Sequence, residues 1–228
     1  MVLVLSTLLG ASWAAEVLLE DDFSSGMTGW YVEGGRTVEV KDGRLQIDAD
    51  PEVYEAGGRN GGVCTVWSRQ RLSGDLRVDF DVQVIGSATG TNNINAFLFY
   101  SLPDGSSPEA TTALRRFADY ADYHPLNGYI FTFLNAPENH EAARLRIRRC
   151  PGFHLLNETY AYHNRAGVTY RVSLVRRGGA LELQVDGELR LQATDPAPLE
   201  SGYFAFRTFR TKLWFDNLRI TRLPRDPG

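Results

Sequence analysis

The chain has 228 residues, 43% of them hydrophobic and 11% aromatic, and a formal net charge of −4. That length suits one domain with a full core, and the apolar content excludes a disordered chain. The mild acidity excludes a nucleic-acid binder of the strongly basic kind, yet the charge is uneven: residues 140–177 hold eight Arg against two Glu, +6, leaving −10 elsewhere.

Residues 1–14 read as an export signal. Met1 to Gly10 is apolar and uncharged, and Ser12-Trp13-Ala14 offers a small-x-small cleavage site. The run is shorter than the about 20 residues that a bilayer span requires. A secreted or periplasmic protein is expected, with one domain over residues 15–224 and a loose tail at 225–228.

From there the signal is strands between turns. β-rich runs are predicted at Val17–Leu19, Thr37–Val40, Leu45–Asp48, Val63–Ser68, Leu76–Val84, Ala96–Tyr100 and Tyr129–Leu134. They continue at Leu145–Ile147, Tyr170–Val175, Leu181–Val185, Leu189–Gln192, Tyr203–Arg207 and Leu213–Ile220. Lys41-Asp42-Gly43, Pro103-Asp104-Gly105, Gly178-Gly179 and Asp186-Gly187 mark turns, the last a strong hairpin signal. One short helix is predicted around Thr112–Tyr120. Many short strands with regular turns predict an all-β, two-sheet antiparallel jelly-roll sandwich.

Cys64 and Cys150 form either one disulfide or two buried thiols; their strand-like settings leave both open. The chain ends carry Glu20-Asp21-Asp22-Phe23 and Trp214-Phe215-Asp216-Asn217-Leu218. First and last strands are neighbours in many jelly rolls, so Asp22 and Asp216 are candidate ligands of a structural calcium ion, a cation that takes clustered oxygens. No motif for an organic cofactor is present.

The opening Asp-Asp-Phe, the segment Tyr123-His124-Pro125-Leu126-Asn127-Gly128-Tyr129 and the run Arg146-Ile147-Arg148-Arg149-Cys150-Pro151-Gly152-Phe153-His154-Leu155 carry a resemblance. Together with the strand-turn-strand run from Tyr170 and the closing Phe-Asp-Asn, they resemble the YesU-like family of concanavalin-like jelly-roll proteins, over roughly Val17 to Leu223. The resemblance implies a fold and a carbohydrate context. It implies no reaction and carries over no catalytic residue.

Chemistry is therefore argued from residue types. All four histidines fall within residues 124–163, with five tyrosines and the arginine excess in or beside that span. Cleaving a uronate polysaccharide by β-elimination needs a cation or amide to neutralise the carboxylate, a base for the acidified proton and an acid for the leaving oxygen. His124, His154, Tyr129 and Tyr160 are the candidate catalytic residues. Arg146 and Arg148 share one face of a predicted strand and, with Asn95 and Arg207, are candidate substrate contacts; Trp67 is a candidate for stacking on a sugar. The glycosidase alternative is weak, because no pair of carboxylates sits at glucanase spacing in a strand, and Asp79 and Asp81 lack a Glu partner. The reading is a carbohydrate-active protein with an anionic glycan as partner, a lyase by β-elimination. The alternative is a non-catalytic, lectin-like binding protein, which would show no converging His, Tyr and Arg or Asn.

Overall fold

The structure is a computed structural model and describes residues 15–49, 62–87, 90, 92–135 and 143–224. The expected export signal, the expected loose tail and His140 lie outside the described residues. Two antiparallel sheets pack face to face. One runs, in spatial order, β13 (Glu188–Thr194), β12 (Ala180–Val185), β11 (Thr169–Arg177), β6 (Leu76–Gly86), β15 (Lys212–Arg222), β4 (Arg44–Asp48) and β3 (Thr37–Lys41). β1 (Glu16–Asp21) also pairs with β15, so the first and last strands are neighbours. The other runs β10 (His154–Thr159), β9 (Arg144–Cys150), β8 (Asn127–Asn135), β7 (Asn92–Ser101), β14 (Ser201–Phe209), β5 (Val63–Ser73) and β2 (Trp30–Gly34). The predicted fold class holds, and every strand predicted from sequence has its counterpart.

Period-two alternation explains the core. In β6, Leu76, Val78, Phe80, Val82 and Val84 are buried while the residues between them are half-buried, as a strand with one face on a core requires. Phe206 of the seven-stranded sheet stacks on Phe215 of the other at 4.0 Å between centroids, and Phe80 meets Phe206 edge-on at 5.1 Å. Such pairs add about 0.5–1.5 kcal/mol beyond area burial.

β2 and β10 are not legible in sequence. β2 has two apolar neighbours, Trp30 and Tyr31, instead of alternation, and β10 is an edge strand whose residues are half-buried or exposed. The predicted helix is two 3-10 helices, Pro108–Arg115 and Tyr120–Tyr123. They belong to a connection between β7 and β8 that lies across the outer face of the seven-stranded sheet, the face turned away from the sandwich core. There Tyr31, Trp67, Phe97, Tyr100, Tyr123, Ile130, Cys150 and Ala205 form a second apolar cluster. Cys64 packs in the sandwich core and Cys150 in this outer cluster, on opposite faces of one sheet. Both are buried free thiols, and burial pushes Cys64 up to about 12. No helix among the described residues is long and apolar enough to cross a membrane.

Candidate functional site

The register of the seven-stranded sheet builds two rows across its outer face, one residue per strand. The first is Glu158, Arg146, Thr132, Asn95, Arg207, Thr65 and Glu33, from β10 to β2. The second is Leu155, Arg148, Ile130, Phe97, Ala205, Trp67 and Tyr31. The first row is polar and the second mostly apolar, although neighbours within each row come from segments far apart in sequence. Thr132 donates to Asn95 Oδ1 at 2.7 Å, and Asn95 Nδ2 donates to Asn93. Asn95 is 4% exposed, so these groups form a fixed floor.

The connecting segment covers the apolar row and crosses the polar one at β2. It is held there by Glu33, 1% exposed, whose carboxylate accepts from Trp67 Nε1 at 2.9 Å, from Tyr123 Oη at 2.7 Å and from Thr112 Oγ1, and pairs with Arg115 at 3.1 Å. A buried charge is tolerable only when paired and hydrogen-bonded, and this one is both. Gly34 lets the segment approach closely: a Cβ there, at φ +70°, would lie 2.4 Å from Val63 O and 2.9 Å from Ala118 Cβ. The segment is therefore a strap clamped to the sheet.

Beyond the clamp the strap presents Tyr120 and His124 to the arginines. His124 stacks on Phe153 at 4.0 Å between centroids and meets Tyr120 edge-on at 5.1 Å. Arg148 lies 4.1 Å over Phe153 and donates to its carbonyl at 2.8 Å. Arg207, 2% exposed, stacks 4.5 Å over Tyr120 and donates to Ala118 O at 3.0 Å and, at 3.4 Å, to Thr208 O. Arg115, Arg146, Arg149 and Arg176 each reach a carboxylate. Among the described residues Arg148 and Arg207 pair with none, and the Nε of each is buried without a partner.

The electrostatics separate the two strap residues. Burial first, then Arg207 and Arg148, hold the His124 imidazole below its ordinary value, so it is neutral at pH 7. Burial raises the Tyr120 phenol, while Arg207, Arg148 and Arg146 pull the other way. Tyr120 keeps its proton, and His124 Nε2 is buried with no hydrogen-bond partner among the described residues. One neutral base and one neutral acid thus stand beside two arginines that form no ion pair among the described residues.

The structure brings together Arg146, Arg148, Asn95, Arg207 and His124 of the residues singled out from sequence. Trp67 shares their face but is fully buried under the strap, stacked on Tyr31 and tied to Glu33, with no face open to a sugar. Tyr129 points to the core side: its hydroxyl donates to Asp195 at 2.7 Å and accepts from the Leu199 amide at 2.8 Å. Burial opposes that carboxylate's charge, but hydrogen bonds from Tyr129 and Ala197 and the charge of Arg149 outweigh it and hold Asp195 below its usual range. His154 lies opposite Arg149, one residue from the Leu155–Arg148 pair, so it shares the core-side face and not that of His124. The expectation of both histidines in one groove therefore does not hold. Tyr160 is 51% exposed at the β10 edge, where it accepts from Arg144 at 3.0 Å and donates to Glu158 at 3.1 Å.

Sequence reasoning missed Tyr120, Phe153 and Glu33. Tyr120 lies three residues before the Tyr123–Tyr129 segment, and that proximity was the available signal.

The chain ends enclose a polar cleft of about 800 Å³ lined by Glu20, Asp21, Asp22, Arg171, Asn217 and Arg219 among others. The residues do not fit a calcium ion. Asp22 accepts from the Ser24 amide and hydroxyl, Asp216 faces Arg44 at 3.4 Å, and two arginines share the cleft with Asp22. Among the described residues no three His, Cys, Asp or Glu side chains are grouped to hold a metal.

The profile of a family described as a domain of unknown function, DUF6250, matches residues 59–218. No curated protein matches the sequence. A Bacillus subtilis protein of unknown function with a galectin-like fold superposes with a TM-score of 0.78 at 18% identity, over 92% of this chain and 97% of that one. The carbohydrate binding module CBM66 from Bacillus subtilis gives 0.57 at 17% identity, over 86% and 97%. The VIP36 exoplasmic/lumenal domain, in a form bound to Ca2+ and Man3GlcNAc, gives 0.60 at 11% identity, over 89% and 87%. At these identities the likeness is one of fold.

Proposed function

We propose that the chain, which belongs to the DUF6250 family, binds an anionic glycan on the outer face of its seven-stranded sheet. The observation that carries this reading is the pair Arg148 and Arg207, half-buried and buried cations without carboxylate partners among the described residues, beside Arg146 and the Asn95–Thr132 amide and hydroxyl floor. An unpaired buried charge is costly, and a guanidinium fork is the side chain best matched to a planar carboxylate. A uronate supplies that carboxylate together with hydroxyls for Asn95 and Thr132. Several solved proteins of this fold bind carbohydrate by their descriptions, as the CBM66 module and VIP36 do, and the YesU-like resemblance points to the same context. Calorimetry against uronate and neutral oligosaccharides tests the reading: binding to the uronates alone, lost in Arg148→Ala, is expected, whereas equal binding of a neutral series overturns it.

A lyase reading is favoured by the neutral His124 and protonated Tyr120 at the same spot. With the carboxylate held by the arginines, the neutral His124 imidazole takes the proton from the adjacent carbon. The electron pair of that C–H bond forms the new C=C bond, the bond to the glycosidic oxygen breaks, and Tyr120 protonates that oxygen. Absorbance from the unsaturated uronate product, abolished in His124→Ala, is the expected result. Binding without product leaves the lectin-like alternative. Because an anionic polymer outside the cell is the substrate class of this reading, a secreted or periplasmic location belongs to the same proposal.

A further inference from the structure

The strap does more than wall the polar row; it ends it. From β10 inward the row runs through Glu158, Arg146, Thr132 and Asn95 to Arg207, where the ring of Tyr120 and the Ala118 carbonyl close over the guanidinium. Beyond Arg207 the row continues only as Thr65 and Glu33, both buried and the latter fully engaged by strap residues. Among the described residues the opposite end has no such cover. β10 is the edge strand of the sheet, and past Arg146 the face ends in the exposed ring of Tyr160, which lies 5.6 Å from the Arg144 guanidinium.

From this asymmetry we infer that the site recognises the end of a glycan chain: a terminal uronate sits against Tyr120, His124 and Arg148, with Arg207 behind them under the Tyr120 ring, and the rest of the chain leaves across β9 and β10. A chain crossing the strands in the other direction, or continuing past the terminal sugar, meets the clamped strap. The penultimate sugars fall near Arg146 and the Tyr160 ring, which offers a stacking platform at the exit. This inference rests on the proposed anionic-glycan reading.

The two are separated by a chain-length series of one polyuronate, from monomer through hexamer to polymer, measured by calorimetry on the full chain. Chain-end recognition gives one protein bound per chain at every length, with affinity rising over the first few sugars and then constant. Tyr160→Ala should leave the monomer affinity unchanged and weaken binding of the longer oligomers by up to about tenfold, the scale of one aromatic contact. A stoichiometry that grows with chain length, several proteins on one polymer, overturns the inference and leaves anionic-glycan binding standing. No heat of binding to any uronate, with an intact fold, overturns both.

Discussion

Arg207 is a buried cation whose flat face rests on Tyr120 at 4.5 Å and whose charge meets two backbone carbonyls but no carboxylate among the described residues. Its partners are the ring faces of Tyr120, Tyr123 and Phe97, a weak substitute for an anion. Burial accordingly pulls its pKa down. A protein that needed only a packed core at this point would be served better by an apolar side chain.

That contrast gives the first prediction. Arg207→Met keeps length and volume and removes the charge, so the variant should be at least as stable as the wild type in denaturant titrations. Its affinity for uronate should fall by about ten- to a hundredfold, the worth of a charged hydrogen bond. A variant that unfolds readily yet still binds would make Arg207 structural only.

The second concerns the strap residues. Tyr120→Phe and His124→Ala should each lower turnover of a uronate polymer by about a hundred- to ten-thousandfold, the usual cost of a lost acid or base. Affinity measured without turnover should change far less, because the carboxylate contacts remain. His154→Ala, on the opposite face of the sheet, should leave both quantities at wild-type values. Loss of activity in that variant would return the chemistry to the core-side face.

The clamp supplies the third. Glu33→Ala leaves Arg115 buried without its partner and strips Trp67, Tyr123 and Thr112 of their acceptor. Breaking a buried pair from one side costs about 3–5 kcal/mol, read as a lower denaturant midpoint with an unchanged slope. Glu33→Gln keeps acceptor and donor capacity and should cost less. If both substitutions are silent, the strap is held by the apolar cluster alone.

The fourth follows from the depressed His124 pKa. The unfolded chain binds the imidazole proton near pH 6.5 while the folded chain resists it. Across the window between the two pKa values the unfolded state carries more protons, so stability rises with pH there. The contribution is complete above about pH 6.5 and is lost as pH falls through the folded value. A bound carboxylate places negative charge beside the ring and raises its pKa, so uronate binding in that window takes up protons. Histidine resonances followed by NMR against pH, with and without a uronate, should show one ring titrating low and moving up on binding; an unshifted His124 would separate it from the arginine site.

Period-two alternation in Leu76–Val84, Leu145–Ile147 and Leu181–Val185, cut by Gly-Gly and Asp-Gly turns, is enough to specify a two-sheet antiparallel sandwich from sequence. The same alternation places Arg144, Arg146 and Arg148 on one face with no help from tertiary contacts, since neighbours two apart in a strand point the same way. Register is not available from it. Asn95, Thr132, Arg146 and Arg207 come from four strands, and only the pairing of β14, β7, β8 and β9 sets them in one row. His154 shows how sharp that dependence is: a single step along the strand puts it opposite Arg149 instead of Arg148, and so on the other side of the sheet. Trp67 reads as an exposed aromatic candidate until the strap, held by Glu33 from a strand 79 residues away from Thr112, folds over it. Local spacing encodes which residues share a strand face, whereas long-range packing decides which of those faces remain open to a ligand.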